Sequence, residues 1–103
     1  MYILICGQDT LYCGITTDVR RRLDEHNSGK GSKYTAAHLP CDIVAAWQYK
    51  NRSAASVAEA NFKKQTRDQK LAAVRTRKWR LGEWVEDPEQ SLYTILGELE
   101  MQL

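Results

Sequence analysis

Arg22 and His26 stand four residues apart in the stretch Val19-Arg20-Arg21-Arg22-Leu23-Asp24-Glu25-His26. On a helix that spacing puts them on one face, so a cation able to hold an anion lies beside an imidazole able to move a proton. Arg22 also follows Val19 by three and adjoins Leu23, which leans it toward the protein body while Arg20 and Arg21 project to solvent. A guanidinium at the edge of an apolar face is costly unless an anion meets it, and that anion is a carboxylate or a phosphate. Glu59, four after Ala55 and three before Phe62, has the same marginal position and calls for a cation: Arg22, a lysine or a metal ion. Tyr2 and Tyr12 carry phenols at the two ends of a hairpin pattern, ends that antiparallel pairing brings together. Taken singly, each has an ordinary structural use: a salt bridge, a packed tyrosine, a hydrogen-bonded histidine.

These groups depend on the elements that carry them. The apolar runs 2–6 and 11–15, separated by Gly7-Gln8-Asp9-Thr10, read as a hairpin. Thr17 is the expected N-cap, with Asp18 favourable to the helix dipole, of a helix through His26 that Asn27, Ser28 and Gly29 close. Residues 28–40, rich in Gly, Lys and small side chains, read as a loop, and 42–50 as a third strand. Ser53 is the expected cap of a helix to about Gln65 with Ala55, Ala58 and Phe62 inward. Thr66 and Gln69 form a capping box for the next helix, with Leu71 and Val74 inward. Residues 78–85 show no clear pattern beyond Trp79 and Trp84. Asp87 and Pro88 open a last amphipathic helix bearing Leu92, Ile95, Leu96 and Leu99. The expected fold is α+β, a small three-stranded antiparallel sheet flanked by helices. It divides into a domain at 1–80 and an acidic segment at 81–103, a helical appendage packed on it.

A chain of 103 residues with 43% hydrophobic and 27% charged side chains fits one globular core. It has no apolar run of membrane-spanning length and no signal-peptide pattern, so the cytoplasm is the expected location, without a membrane partner. Three cysteines, Cys6, Cys13 and Cys41, lack the spacing of a zinc site or disulfide framework and read as small buried apolar residues. All 15 Lys and Arg lie at or before Arg80, whereas 81–103 carries acids alone. A basic body of this kind suits a polyanion.

The joint pattern resembles the GIY-YIG nuclease signature. Met1-Tyr2-Ile3 matches the first element and Tyr12-Cys13-Gly14 the second; the tyrosines are 10 positions apart, and Arg22 follows Tyr12 by another 10, then His26. The likeness continues through 14–19, Glu25-His26-Asn27, the loop 29–35, Arg52-Ser53, Glu59 and Lys63-Lys64, spanning about 1–74. It is nearest to the small stand-alone bacterial proteins of that superfamily. Met1 replaces the glycine of the first element and Cys13 the usual Ile or Val. Other branches have a lysine shortly after the second element, where this chain has Ile15 or Thr16, and an asparagine beyond the metal-binding acid that is not located in this sequence.

The resemblance implies a metal-dependent endonuclease hydrolysing DNA phosphodiesters. Glu59 would hold Mg²⁺ or Mn²⁺, and Arg22 the scissile phosphate. Tyr2 or Tyr12 would orient a water and take its proton, with a phenol pKa lowered from about 10 by Arg22 or the metal, and His26 would relay the proton. Arg21, Lys30, Lys33, Tyr34 and Lys63 are the candidate nucleic-acid contacts. Cations and an aromatic on a Gly-rich loop favour single-stranded or structured DNA. Two alternatives stand beside this: a nucleic-acid-binding module with the fold but little turnover, and a nuclease subunit that needs a protein partner.

Overall fold

A computed structural model describes residues 1–86. Strand β1 (Tyr2–Cys6) turns through Gly7–Asp9 into β2 (Thr10–Gly14), followed by α1 (Val19–Asn27), the one-turn α2 (Lys33–Ala36), β3 (Asp42–Gln48), α3 (Arg52–Lys63), α4 (Arg67–Thr76) and β4 (Glu83–Trp84). The antiparallel sheet runs β2-β1-β3-β4. It thus has four strands where three were expected. The fourth is two residues long, too short to show an alternation in sequence. It is held by pairing Trp84 with Trp47 and by an edge-on contact of their rings at 5.3 Å.

Alternation along β1 sorts the core into two layers. Ile3, with Cys13, Ala45 and Trp47, packs against Ala58 and Phe62 of α3 and Ala73 of α4. Tyr2, Leu4 and Cys6, with Ala46, pack against Leu23 and Val19 on the α1 side. All three cysteines are buried free thiols.

Several local assignments shift. Asp18, not Thr17, caps α1 by accepting from Arg21 N at 3.1 Å, and Asn51, not Ser53, caps α3 by accepting from Ala54 N at 2.8 Å. In both cases a side chain with an amide or carboxylate oxygen outcompetes a nearby hydroxyl. The capping box of Thr66 and Gln69 forms as read. Residues 28–40 are not wholly loop, since Ser32 caps α2 inside them. Leu71, expected inward, is 36% exposed; Ala73 is the buried residue of α4, with Val74 packed beside it. The helix expected from Asp87 lies outside the described residues.

The Asn27 amide fastens the end of α1 to the entry of β3, donating to Cys41 O and accepting from Cys41 N, both at 2.9 Å. This clamp sets the depth at which the next residue back, His26, enters the sheet face.

Candidate active site

The β1–β2 register places Tyr2 opposite Gly14 and Tyr12 opposite Leu4. Gly14 and Tyr12 differ by two, so both tyrosines share the α1 face, with ring centroids 6.4 Å apart. Gly14 is required there: a Cβ would fall 2.5 Å from the Tyr2 hydroxyl. The Tyr2 hydroxyl instead meets His26 Nε2 at 2.8 Å, and the Tyr12 ring stands edge-on to the imidazole at 4.9 Å. His26 is fully buried and its Nδ1 lies 2.7 Å from Thr35 Oγ1. Gly31 passes so close to the imidazole that any side chain would collide with it.

Arg22 flanks this cluster. Its Nη1 donates to Glu25 Oε2 at 2.7 Å and its Nη2 to Gly31 O at 3.0 Å. The anion required by its position is therefore met within its own helix, and not by Glu59. Glu59, 22% exposed at the side chain, accepts from Lys63 Nζ at 2.9 Å. It belongs to the α3 layer, where its charge is felt by Cys13 and by the Met1 amino group. The structure thus gathers Tyr2, Tyr12 and His26, sets Arg22 beside them, and leaves Glu59 out of direct contact with the four.

Two concavities adjoin the cluster. A cleft of about 730 Å³ has Arg21, Arg22 and Glu25 from α1 on one wall and Asn51, Arg52 and Ala55 on the other. Glu59 lies one helical turn beyond Ala55 on the same face of α3. A shallower groove of about 290 Å³ wraps the open edge of β2 and is lined by Tyr12, Tyr34, Lys63 and Lys70, among others. Tyr34, 40% exposed, stacks between Tyr12 and His38 at 6.0 and 4.4 Å. Lys30 and Lys33 are exposed on the adjoining segment.

Burial pushes the Tyr2 phenol up to about 12, against the opposing pull of Arg22. The expected lowering of a tyrosine pKa is therefore not found at Tyr2, because desolvation of the phenolate outweighs one partly buried guanidinium. Burial, then the Arg22 charge, lowers the pKa of His26 below 6.5. Below that pH the unfolded chain binds a proton that the folded one refuses, so stability falls as pH drops from about 6.5 through the folded value. Urea midpoints at pH 7.5 and 5 should show a larger loss for the natural chain than for His26→Gln; equal losses would refute this role of the imidazole.

Gly14, Glu25, Gly31, Ser32, Thr35 and Arg52 build this site; the sequence shows them within the stretches that carry the resemblance, with no site role attached to them. The Ser32–Thr35 spacing is the one local signal, being that of a helix cap three residues before its backbone donor.

Residues 1–72 match the family model described as the GIY-YIG catalytic domain. A UPF0213 protein of Streptococcus sanguinis is 49% identical over 77 residues, covering 75% of this chain and 88% of the relative. A UPF0213 protein of Streptococcus agalactiae is 47% identical over 78 residues, covering 76% and 89%. A third, from Streptococcus pyogenes, is 49% identical over 77 residues, covering 74% and 84%. No solved structure matches the chain.

Proposed function

Because the chain belongs to the GIY-YIG catalytic domain family, a family of nucleases, we propose that it is a metal-dependent endonuclease that hydrolyses DNA phosphodiesters, single-stranded or structured DNA being favoured. The observation that carries this is the Tyr2 phenol held 2.8 Å from a buried imidazole, beside an arginine that faces an open cleft. A phenol of pKa about 12 is no free phenolate at neutral pH. It takes a proton from water only while passing its own to a base, and His26 Nε2 is that base.

Arg22 has five N–H donors, of which Glu25 and Gly31 take one each. These two contacts aim the guanidinium and leave the remaining donors for a phosphate in the cleft, where Arg21 and Arg52 add positive charge. Glu59 is the carboxylate that would hold the metal. One partly exposed carboxylate, with no group of three metal-binding side chains among the described residues, fits a hard ion such as Mg²⁺ or Mn²⁺ that keeps most of its waters. When bound, that ion supplies positive charge to the phosphate and the departing oxygen. The Tyr34 stack and Lys63 at the β2 edge suit unpaired bases and their backbone, with Lys30 and Lys33 nearby.

A second reading, a binding module with little turnover, is favoured by one fact: Arg22 and Glu59 each already have an internal partner. Labelled single-stranded, duplex and branched DNA, with Mg²⁺, Mn²⁺ or EDTA, separates the two. Cleavage abolished by EDTA is expected, and binding without cleavage in every condition would establish the module. Glu59→Gln should lower cleavage at least about 10²-fold, since it removes the metal's carboxylate. Its stability should change by less than about 1 kcal/mol, because the pair with Lys63 lies at the surface, with the lysine more than half exposed. Full cleavage by this variant would remove Glu59 from the mechanism.

A further inference from the structure

The buried hydroxyl on the far side of His26 has a direction as well as a distance. Tyr2 is buried, so its phenol proton needs an acceptor. Its acceptor among the described residues is His26 Nε2, and the neighbouring Arg22 offers donors alone. Nε2 must then be the bare nitrogen and Nδ1 must carry the hydrogen, which points at Thr35 Oγ1, 2.7 Å away. Thr35 is itself fully buried, and its own proton has acceptors in Ser32 O at 3.3 Å and Ser32 Oγ at 2.9 Å. Its oxygen is thereby free to accept. Ser32 is fixed in turn, since its Oγ accepts from Thr35 N at 3.1 Å. The protons of Tyr2, of His26 Nδ1 and of Thr35 then each find an acceptor, running in one direction toward Ser32.

We infer that Thr35 is a positioning residue for the reaction proposed above: by accepting from Nδ1 it holds His26 in the tautomer whose Nε2 takes the proton of Tyr2. This rests on the nuclease reading. In the step, a water O–H bond breaks as the water oxygen bonds to phosphorus, and that proton goes to the Tyr2 oxygen. The phenol proton moves to Nε2, giving an imidazolium whose Nδ1–H stays hydrogen-bonded to Thr35 Oγ1, while the leaving oxygen departs from phosphorus with the bonding pair and takes its proton from solvent water. With the opposite tautomer Nε2 is a donor and the phenol has no base. The charged and titratable groups around the imidazole are Arg22 and Glu25 on its own helix, Tyr2 on β1 and Tyr12 on β2. None of these contacts Nδ1, so the tautomer falls to Thr35.

The test uses the whole chain, uniformly ¹⁵N-labelled, at pH 7.5, with ring nitrogens assigned by two-bond ¹H–¹⁵N correlation. The natural chain and Thr35→Ser should both show His26 protonated at Nδ1, whereas Thr35→Val should move the proton to Nε2. In cleavage assays Thr35→Val should lose about 10²-fold in kcat with KM changed less than about twofold, and Thr35→Ser should recover most of the rate. Thr35→Ala, which adds no bulk, replaces the valine variant should that one not fold. A natural chain protonated at Nε2 overturns the assignment, as does a valine or alanine variant that keeps both the tautomer and kcat. The tautomer measurement needs no turnover, so a natural chain that cleaves nothing sinks the nuclease reading while the spectrum still decides the role of Thr35.

Discussion

Arg22→Lys is expected to lower single-turnover DNA cleavage by about 10²–10³-fold, the usual cost of losing an oriented donor to developing negative charge. The side chain spans two acceptors on different segments, Glu25 on its own helix and the Gly31 carbonyl on the loop. A planar fork satisfies both and still presents donors to the cleft, while an ammonium on a flexible stem meets one and turns away from the other. The loss should fall on the cleavage step more than on DNA binding, since the total positive charge of Arg21, Arg52 and residue 22 is retained. A lysine variant cleaving within about threefold of the natural chain would mean that bulk charge, and not the aimed guanidinium, does the work.

Gly31→Ala should be strongly damaging, since a Cβ there comes nearer to its neighbours than at any other glycine among the described residues. The new Cβ would overlap the His26 ring and come within 2.8 Å of the His26 Cα, and neither can retreat because His26 is buried. Relief requires the loop to move, which withdraws the carbonyl from Arg22 and carries the Ser32–Thr35 segment away from Nδ1. We expect a loss of about 1–3 kcal/mol in urea unfolding, in the range of overpacking, together with a fall in cleavage of roughly 10²-fold. Gly29→Ala is the comparison. Gly29 has open space around it but φ of +83°, so the cost is confined to the backbone, about 1–2 kcal/mol, with cleavage unchanged once the chain is folded. Equal activity of the two variants would show that the loop does not register against His26.

Much of the scaffold is legible in the sequence. The hairpin, α1, α3, the capping box of α4 and the third strand all follow from periodicity and end signals within a few residues of each other. What was misread has the same locality in reverse. Thr17 against Asp18 and Ser53 against Asn51 are choices among adjacent cap residues that local rules rank only weakly. β4 has two residues and exists through its partner Trp47, 37 positions earlier in the chain. Leu71 lies on a helix whose buried point is Ala73, a side chain too small to stand out in an apolar stripe.

The candidate site divides along the same line. Residue types and spacing alone determined that Arg22 and His26 share a helix face, that both tyrosines sit on one hairpin, and that Arg22 and Glu59 each require an opposite charge. Tertiary structure decided which charge. Arg22 and Glu59 stand on helices that pack against different core layers, and each takes a neighbour on its own helix, Glu25 and Lys63. It also decided that the Tyr2 phenol is raised and not lowered, because burial depends on what packs above β1. Both partners stand three or four residues away, within reach of a local reading, but that these pairs form in place of a pair between Arg22 and Glu59, and how far each group is desolvated, is set by which layers meet.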